Sequence, residues 1–288
     1  MVRASSDCSR ARRVRITSQR TSLALPALIA LIATSAVSAG APDQHTVSSA
    51  GAQDDRTVHI EGGAFRSVLP TGTSRDFVTV KPYRLDRRPV TNAEFLAFVS
   101  EHPEWRKGRV PVALADVSYL QHWTGALQPG PTSLPNQPVT SVSWFAARAY
   151  CEARGARLPD WYEWELAAAA DETQRDARNS AEWQQRVLSW YSRPSNVALA
   201  RVNAGKPNAY GVYDLHGLVW EWVEDFNALL MSGDSREQGD PDLLKFCGSG
   251  ALSLQDQSNY AVAMRVAFLS SLQAHDTTIN LGFRCASN

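Results

Sequence analysis

The stretch Arg157-Leu-Pro-Asp-Trp-Tyr-Glu-Trp-Glu165 is where the reading of the fold turns. A helix is predicted to start after Leu158-Pro159. The Asp160 side chain serves as N-cap for the free N–H groups of the first turn, and Trp161, Trp164 and Leu166–Ala170 lie inside. Glu163 and Glu165 stand two apart on that helix and point to different faces, which suits structural roles better than a paired acid and base. Upstream, a second helix is predicted from Ser143 to Ala153, with Trp144, Ala147 and Cys151 on one face and Gly155 as its stop. Residues 103–138 hold six prolines and no clear period, so they read as a long ordered loop. Thr91-Asn92 caps a helix running to Ser100, with Phe95, Leu96 and Val99 at helical spacing. Phe77–Tyr83 alternates like a strand, and Gly62-Gly63 marks a turn between two extended pieces in Val58–Phe65. Downstream of Tyr191 little helix is predicted. There Val219–Val223 and Asn259–Leu269 read as strands. No repeat appears and no further boundary follows residue 57, so residues 58–288 are read as one domain.

The start of the chain has a different composition. Arg3, Arg10, Arg12, Arg13, Arg15 and Arg20 precede the apolar run Leu23–Ala33, and small residues follow up to Ala39. That order is the layout of a secretory signal peptide, read as residues 1–39 with cleavage after Ala39 or, as second choice, Ala41. The apolar run is shorter than the ~20 residues a spanning helix needs. An uncleaved anchor is the competing reading, and Arg12-Arg13 leaves twin-arginine export open beside the general route. Residues 40–57 are polar and read as a flexible linker. The mature protein is accordingly expected in the periplasm or outside the cell, with no membrane segment left after cleavage.

The 288 residues carry 29 basic and 29 acidic side chains, with no basic stripe, which argues against nucleic acid as a partner. Hydrophobic residues at 44% suit a packed domain. After cleavage Cys151, Cys247 and Cys285 remain; three is odd, so one bridge at most forms and one thiol is left over.

Five segments, in order, resemble the formylglycine-generating enzyme (sulfatase-modifying factor) family. They are Glu61-Gly-Gly-Ala-Phe65; Arg88-Pro-Val-Thr-Asn92; Pro138–Trp144 with Ala149-Tyr-Cys151 and the Arg157–Glu165 stretch; Asn208–Trp222; and Asn280-Leu-Gly-Phe-Arg-Cys285. Together they span about residues 58–286, and several ordered motifs are far more specific than any one of them. The resemblance implies an α+β, C-type-lectin-like single domain with much irregular backbone. It also implies a disulfide between Cys151 and Cys285, and buried ion-pair roles fit Arg157 and Arg284.

Oxidising members of the family bind copper(I) through two cysteines, soft ligands for a soft cation. Residues 248–284 contain no cysteine. Copper-dependent oxidation of a substrate cysteine is therefore not expected. Cys247 stands in the turn Phe246–Gly250, in place of the first glycine of the family's turn. It is read either as a nucleophile or a single thiolate ligand, with His216, His275 and Arg265 as candidate base or cation beside it and Ser249 and Asp256 as further catalytic candidates, or as a buried inert thiol. A calcium site implied by the family maps onto Asp214, Gly217, Val219 and Glu221, whose carboxylates and carbonyls are the hard oxygens Ca²⁺ takes; the competing reading is that Asp214 and Glu221 pair with arginine or cap turns. A second calcium site would begin at Asn196 and Val197, with Asn203 as a partner.

Three functions compete on this reading. The first is an exported accessory or maturation protein that binds a peptide or protein partner in the periplasm. The look of Asp225–Ser271, similar to members encoded beside copper nitrite reductases, makes a metalloenzyme undergoing maturation one such partner. The second is an enzyme of changed chemistry acting through Cys247, like the pyoverdine-maturation relatives. The third is a lectin-like binding module.

Overall fold

The computed structural model describes residues 56–69, 77–192, 198–229 and 260–288. The expected signal segment, most of the linker, Asn196, Val197, Cys247, Ser249 and Asp256 lie outside the described residues.

One small sheet brings the two ends of the domain together. Strand β1 (Thr57–Ile60) runs antiparallel to β4 (Tyr83–Asp86), with Thr57 opposite Asp86 and Ile60 opposite Tyr83. The far edge of β4 pairs with β9 (Ala286–Ser287), so the sheet order is β1-β4-β9. Between β1 and β4 the chain makes a second pair, β2 (Gly63–Phe65) with β3 (Val78–Val80). The turn at Gly62-Gly63 thus separates strands of different sheets. Gly62 has φ +70°, and a Cβ there would meet the Val80 carbonyl oxygen, so only glycine fits. Two shorter pairs complete the strands: β5 (Trp123–Gly125) with β6 (Gln128–Pro129), and β7 (Trp220–Glu221) parallel to β8 (Leu281–Gly282).

Among the described residues five α-helices pack around these strands, giving a mixed α+β arrangement. Helices α1 (Asn92–Glu101) and α3 (Trp161–Ala168) start in the same way. Thr91 and Asp160 accept from the backbone N–H of Glu94 and Glu163, and each glutamate reaches back to the cap N–H, a full capping box. Each box is locked by an upstream arginine: Arg88 on Glu94 at 2.9 Å, and Arg157 on Glu163 at 2.6 Å. Ser143 caps α2 (Trp144–Ala153) and Ser180 caps α4 (Ala181–Tyr191). Helix α5 covers Tyr260–Ser270. No helix among the described residues is long and apolar enough to cross a membrane.

The core is aromatic. Trp161, Trp164, Trp222, Tyr83, Phe95 and Phe283 are among the largest fully buried side chains. Phe95, Tyr150 and Phe283 meet one another with centroids 5.3–6.1 Å apart, joining α1, α2 and the C-terminal segment. The disulfide Cys151–Cys285 ties α2 to the residue before β9.

Five expectations need correction. Asn259–Leu269 is not a strand: Tyr260–Ser270 is helical, and Val262, Arg265, Val266 and Leu269 are buried at the i, i+3, i+4, i+7 spacing of one helix face. β-branched and aromatic residues made this run look extended, but its burial follows the helical period. Helix α4 was not anticipated, because only Trp183 and Val187 of its polar sequence are buried. Phe77–Tyr83 is split at Pro82, which cannot donate to a ladder, so β3 and β4 go to separate sheets. Helix α3 ends at Ala168, short of Ala170. Arg56 and Thr57, placed in the linker, belong to the fold: Arg56 O accepts from Arg87 N, and its guanidinium reaches Asp86, Glu94 and the Tyr150 hydroxyl.

The disulfide closes a loop with a sequence separation of 134 residues. Replacing both cysteines by alanine is expected to lower unfolding free energy by roughly 3–5 kcal/mol in urea titrations. Non-reducing peptide mapping is expected to show Cys151 joined to Cys285 and Cys247 alkylated as a free thiol.

Candidate functional site

Strand β7 carries two side chains of opposite fate, as the period of a strand requires. Trp220 is partly exposed, whereas Glu221 is fully buried. Gly282 on β8 lets the pair sit close to the preceding loop, since a Cβ there would lie 2.6 Å from the Val139 carbonyl oxygen.

The Glu221 carboxylate is held by three donors. Arg284 donates from Nη2 to Oε1 at 2.7 Å and from Nε to Oε2 at 2.9 Å, and the Trp164 indole N–H adds 2.9 Å to Oε2. Arg284 also donates to the carbonyls of Asp86 and Tyr213, so every nitrogen of its guanidinium is used. Both ion-pair side chains are fully buried. Arg157 makes the other expected pair, with Glu163, but its side chain is 34% exposed rather than buried. Glu165, two residues on, faces elsewhere: Ser67, Val68 N and Trp161 Nε1 donate to it. Burial raises the Glu165 carboxyl to about 7.

A second arginine lies against the same strand. Arg265 on α5 is fully buried and donates from Nη2 to the Glu221 carbonyl at 2.7 Å. Its Cζ is 3.5 Å from the centroid of Trp164 and 5.9 Å from that of Trp220. Among the described residues its Nε and Nη1 have no hydrogen-bond partner. Burial lowers its pKa to about 10, so it remains a cation at neutral pH.

Above it, Trp220 is the hub of a cluster of rings: Phe268 at 4.7 Å, Tyr191 at 5.0 Å and Trp190 at 5.3 Å between centroids. All four are partly exposed. Helices α4 and α5 deliver three of them and β7 the fourth, so the cluster exists only once those elements pack. Beneath its edge His216 stands T-shaped to Trp164 and Trp183, and Nε2 bonds the Ala168 carbonyl at 2.9 Å. The residue is partly exposed, yet Nδ1 is sealed from solvent without a partner, and desolvation lowers the ring to about 4.

Of the expected calcium ligands, Asp214, Gly217 and Val219 lie on the segment leading into β7 and Glu221 lies in β7 itself. Asp214 (φ +60°) accepts the Asn203 N–H at 2.7 Å, which ties Asn203 to this turn. Burial raises the Asp214 carboxyl, with repulsion from Glu221 adding to it. Among the described residues the carbonyls of Gly217 and Val219 receive no hydrogen bond. Sequence reasoning offered Arg265 only as a cation near Cys247, which lies outside the described residues; the strand reading of its segment hid the helix face it shares with Val262, Val266 and Leu269. Trp190 and Tyr191 were missed with α4.

A family model described as a sulfatase-modifying factor enzyme 1-like domain matches residues 43–288. The chain belongs to this family. It is 30% identical to the mouse protein named inactive C-alpha-formylglycine-generating enzyme 2, over 82% of this chain and 87% of that one. It is also 30% identical to the formylglycine-generating enzyme of Streptomyces coelicolor, over 79% of this chain and 85% of that enzyme. Among solved structures it is similar to PvdO from Pseudomonas aeruginosa, at 20% identity and a TM-score of 0.44, over 81% of this chain and 94% of that one.

Two outcomes follow from the buried groups. Glu221→Gln leaves Arg284 buried without a counter-charge and is expected to cost about 3–5 kcal/mol in chemical denaturation. His216 refuses a proton when folded but takes one at its ordinary value of 6.5 when unfolded, so its contribution is present above pH 6.5 and is lost as pH falls toward about 4. Glu165 has the opposite sign, contributing below 4.5 and losing that as pH rises through about 7. Melting curves of wild type and His216→Gln are therefore expected to diverge most above pH 6.5 and to converge near pH 4.

Proposed function

We propose that this chain is an exported family member that binds an extended peptide segment of a periplasmic partner, without copper-dependent oxidation of a cysteine. The observation that carries this is the combination of a partly exposed ring cluster at Trp220 with the lack of any cysteine over residues 248–284. Cys151 and Cys285 are consumed by their disulfide, so Cys247 alone cannot form a two-sulfur copper site. Partly exposed tryptophan and tyrosine give large contact area at low entropic cost, which suits peptide contact. A metalloenzyme in maturation is the partner class this reading favours. The lectin-like assignment of the fold rests on the family resemblance and is supported by the sheet that joins the domain's ends.

Calcium enters this reading as a structural cation. Asp214 and the carbonyls of Gly217 and Val219 would supply its protein oxygens, water completing the set, because both Glu221 carboxylate oxygens already accept from Arg284 and Trp164. A bound cation would stabilise the turn that feeds β7.

Two measurements check the reading. A cysteine-containing peptide incubated with the protein, copper(I) and oxygen is expected to give no formylglycine by mass spectrometry, and its formation would overturn the proposal. Peptide-array binding is expected to drop at least tenfold in Trp220→Leu with the circular-dichroism spectrum retained; unchanged binding removes the ring cluster from the site. For the cation, 1 mM calcium against chelator is expected to raise the melting temperature of the wild type but not of Asp214→Asn; equal curves dismiss calcium.

A further inference from the structure

The sheet that joins the domain's ends has a polar face that the ring cluster does not use. Along β4 the side chains alternate, so Tyr83 and Leu85 enter the core while Arg84 and Asp86 share the other face. Residues directly opposite one another on antiparallel strands lie on one face. The register therefore adds Thr57 beside Asp86, and His59 and Ser287 beside Arg84. This face and the turn that ends α2 enclose a cavity of about 320 Å³, the size of a small-ligand pocket. Asp86 and Ala286 form its buried floor, and the disulfide reaches it through Cys285. Thr57, Arg84, Arg154 and Ser287 line it and are partly exposed, so the cavity opens to solvent.

Its lining has more donors than acceptors. The Asp86 carboxylate is already taken: Arg154 donates to it from Nη1 at 2.8 Å and from Nη2 at 3.1 Å, the Cys285 N–H donates at 3.2 Å, and Arg56 Nε lies 3.5 Å away. Arg84 has no carboxylate partner among the described residues. Its Nε and Nη2, which share the lateral edge of the guanidinium, both donate to Thr57 Oγ1, at 3.0 and 2.8 Å. The terminal edge, Nη1 with the second N–H of Nη2, has no acceptor among the described residues. Nor, among those residues, do Arg154 Nε or the hydroxyl protons of Thr57 and Ser287. The carbonyls of Cys151 and Glu152 at the end of α2 are filled by the N–H groups of Arg154, Gly155 and Ala156, so they draw neither arginine away. His59 is exposed and brings no negative charge.

We infer that this cavity binds a small ligand carrying a phosphate-type oxyanion, held by the terminal edge of Arg84. A guanidinium edge matches two oxygens of an oxyanion, and charge-assisted bonds of this kind are the strong ones. A tetrahedral group has further oxygens for the remaining donors, whereas a carboxylate is used up by one edge. Arg154 and Arg56 already match the charge of Asp86, so the charge of Arg84 is left for the ligand. Thr57 holds the Arg84 fork and Asp86 holds that of Arg154, which lowers the entropy cost of binding.

The test follows melting temperature against inorganic phosphate, with sodium chloride keeping ionic strength constant. Wild type is expected to show a saturable rise, Arg84→Gln to lose it, and Trp220→Leu to keep it. Stabilisation by exclusion of phosphate from the protein surface does not saturate and survives Arg84→Gln, so it is told apart. Arg84→Lys keeps the charge but not the fork, and is expected to weaken phosphate about tenfold. Acetate is expected to give a smaller rise than phosphate at equal concentration. No saturable rise in wild type, an equal rise in Arg84→Gln, or a rise lost in Trp220→Leu overturns the site. An equal rise with acetate overturns the choice of a tetrahedral group. Should Arg84→Gln fail to fold, Arg84→Lys decides, and wild-type phosphate affinity in that variant overturns the proposal.

Discussion

The buried pair between Glu221 and Arg284 is the constraint on which the other elements depend. A carboxylate and a guanidinium removed from water are tolerated only when their donors and acceptors are filled. Here they are filled from four parts of the chain: the indole of α3, the Asp86 carbonyl at the end of β4, the carbonyl of Tyr213 and strand β7 itself. The pair therefore acts as a geometric specification. If any of those segments shifts, a buried charge loses a partner, so the arrangement that satisfies all of them is strongly selected. Next to Arg284, Cys285 adds the covalent tie to α2, and its N–H reaches Asp86, which in turn holds Arg154.

Polar fixing of this kind suits a domain whose strands are two to four residues long. Short strands give few ladder bonds, so register must come from elsewhere. Capping boxes, arginine clamps on their glutamates, and buried charge pairs supply it. They leave the irregular segments between them free of any need for regular structure, and those segments are what shape a surface.

Against that fully satisfied pair, Arg265 stands out by contrast. Arg284 has an acceptor for every nitrogen, whereas Arg265, on α5 and equally buried, has one among the described residues. Strand β7 thus carries a buried charge, Glu221, and a partly exposed ring, Trp220, on opposite faces, while the second buried cation comes to it from α5. The ring of the proposed binding surface and the buried charge share a backbone segment of two residues and are separated by the alternation of its side chains.

Much of this was legible in the sequence because it depends on neighbours along the chain. Thr91, Ser143 and Asp160 cap their helices through N–H groups three residues away, and Gly62 turns because no other residue tolerates its conformation. The ordered motifs carried the family, and with it the Cys151–Cys285 bridge; the buried pair of Arg284 was also legible, whereas Arg157 keeps its glutamate partner but lies partly exposed. What depended on distant partners was not legible. Tyr260–Ser270 is apolar enough to be strand or helix, and packing on β7 and α4 selected the period that buries Arg265. Helix α4 shows too few apolar residues to declare itself until Trp183 meets His216 and Trp190 meets Trp220. Local capping and turn geometry were set by the sequence alone, because their physics acts within a few residues. The uncommitted arginine and its aromatic cover were set by tertiary structure, because a buried charge acquires its meaning from what the rest of the fold does or does not place beside it.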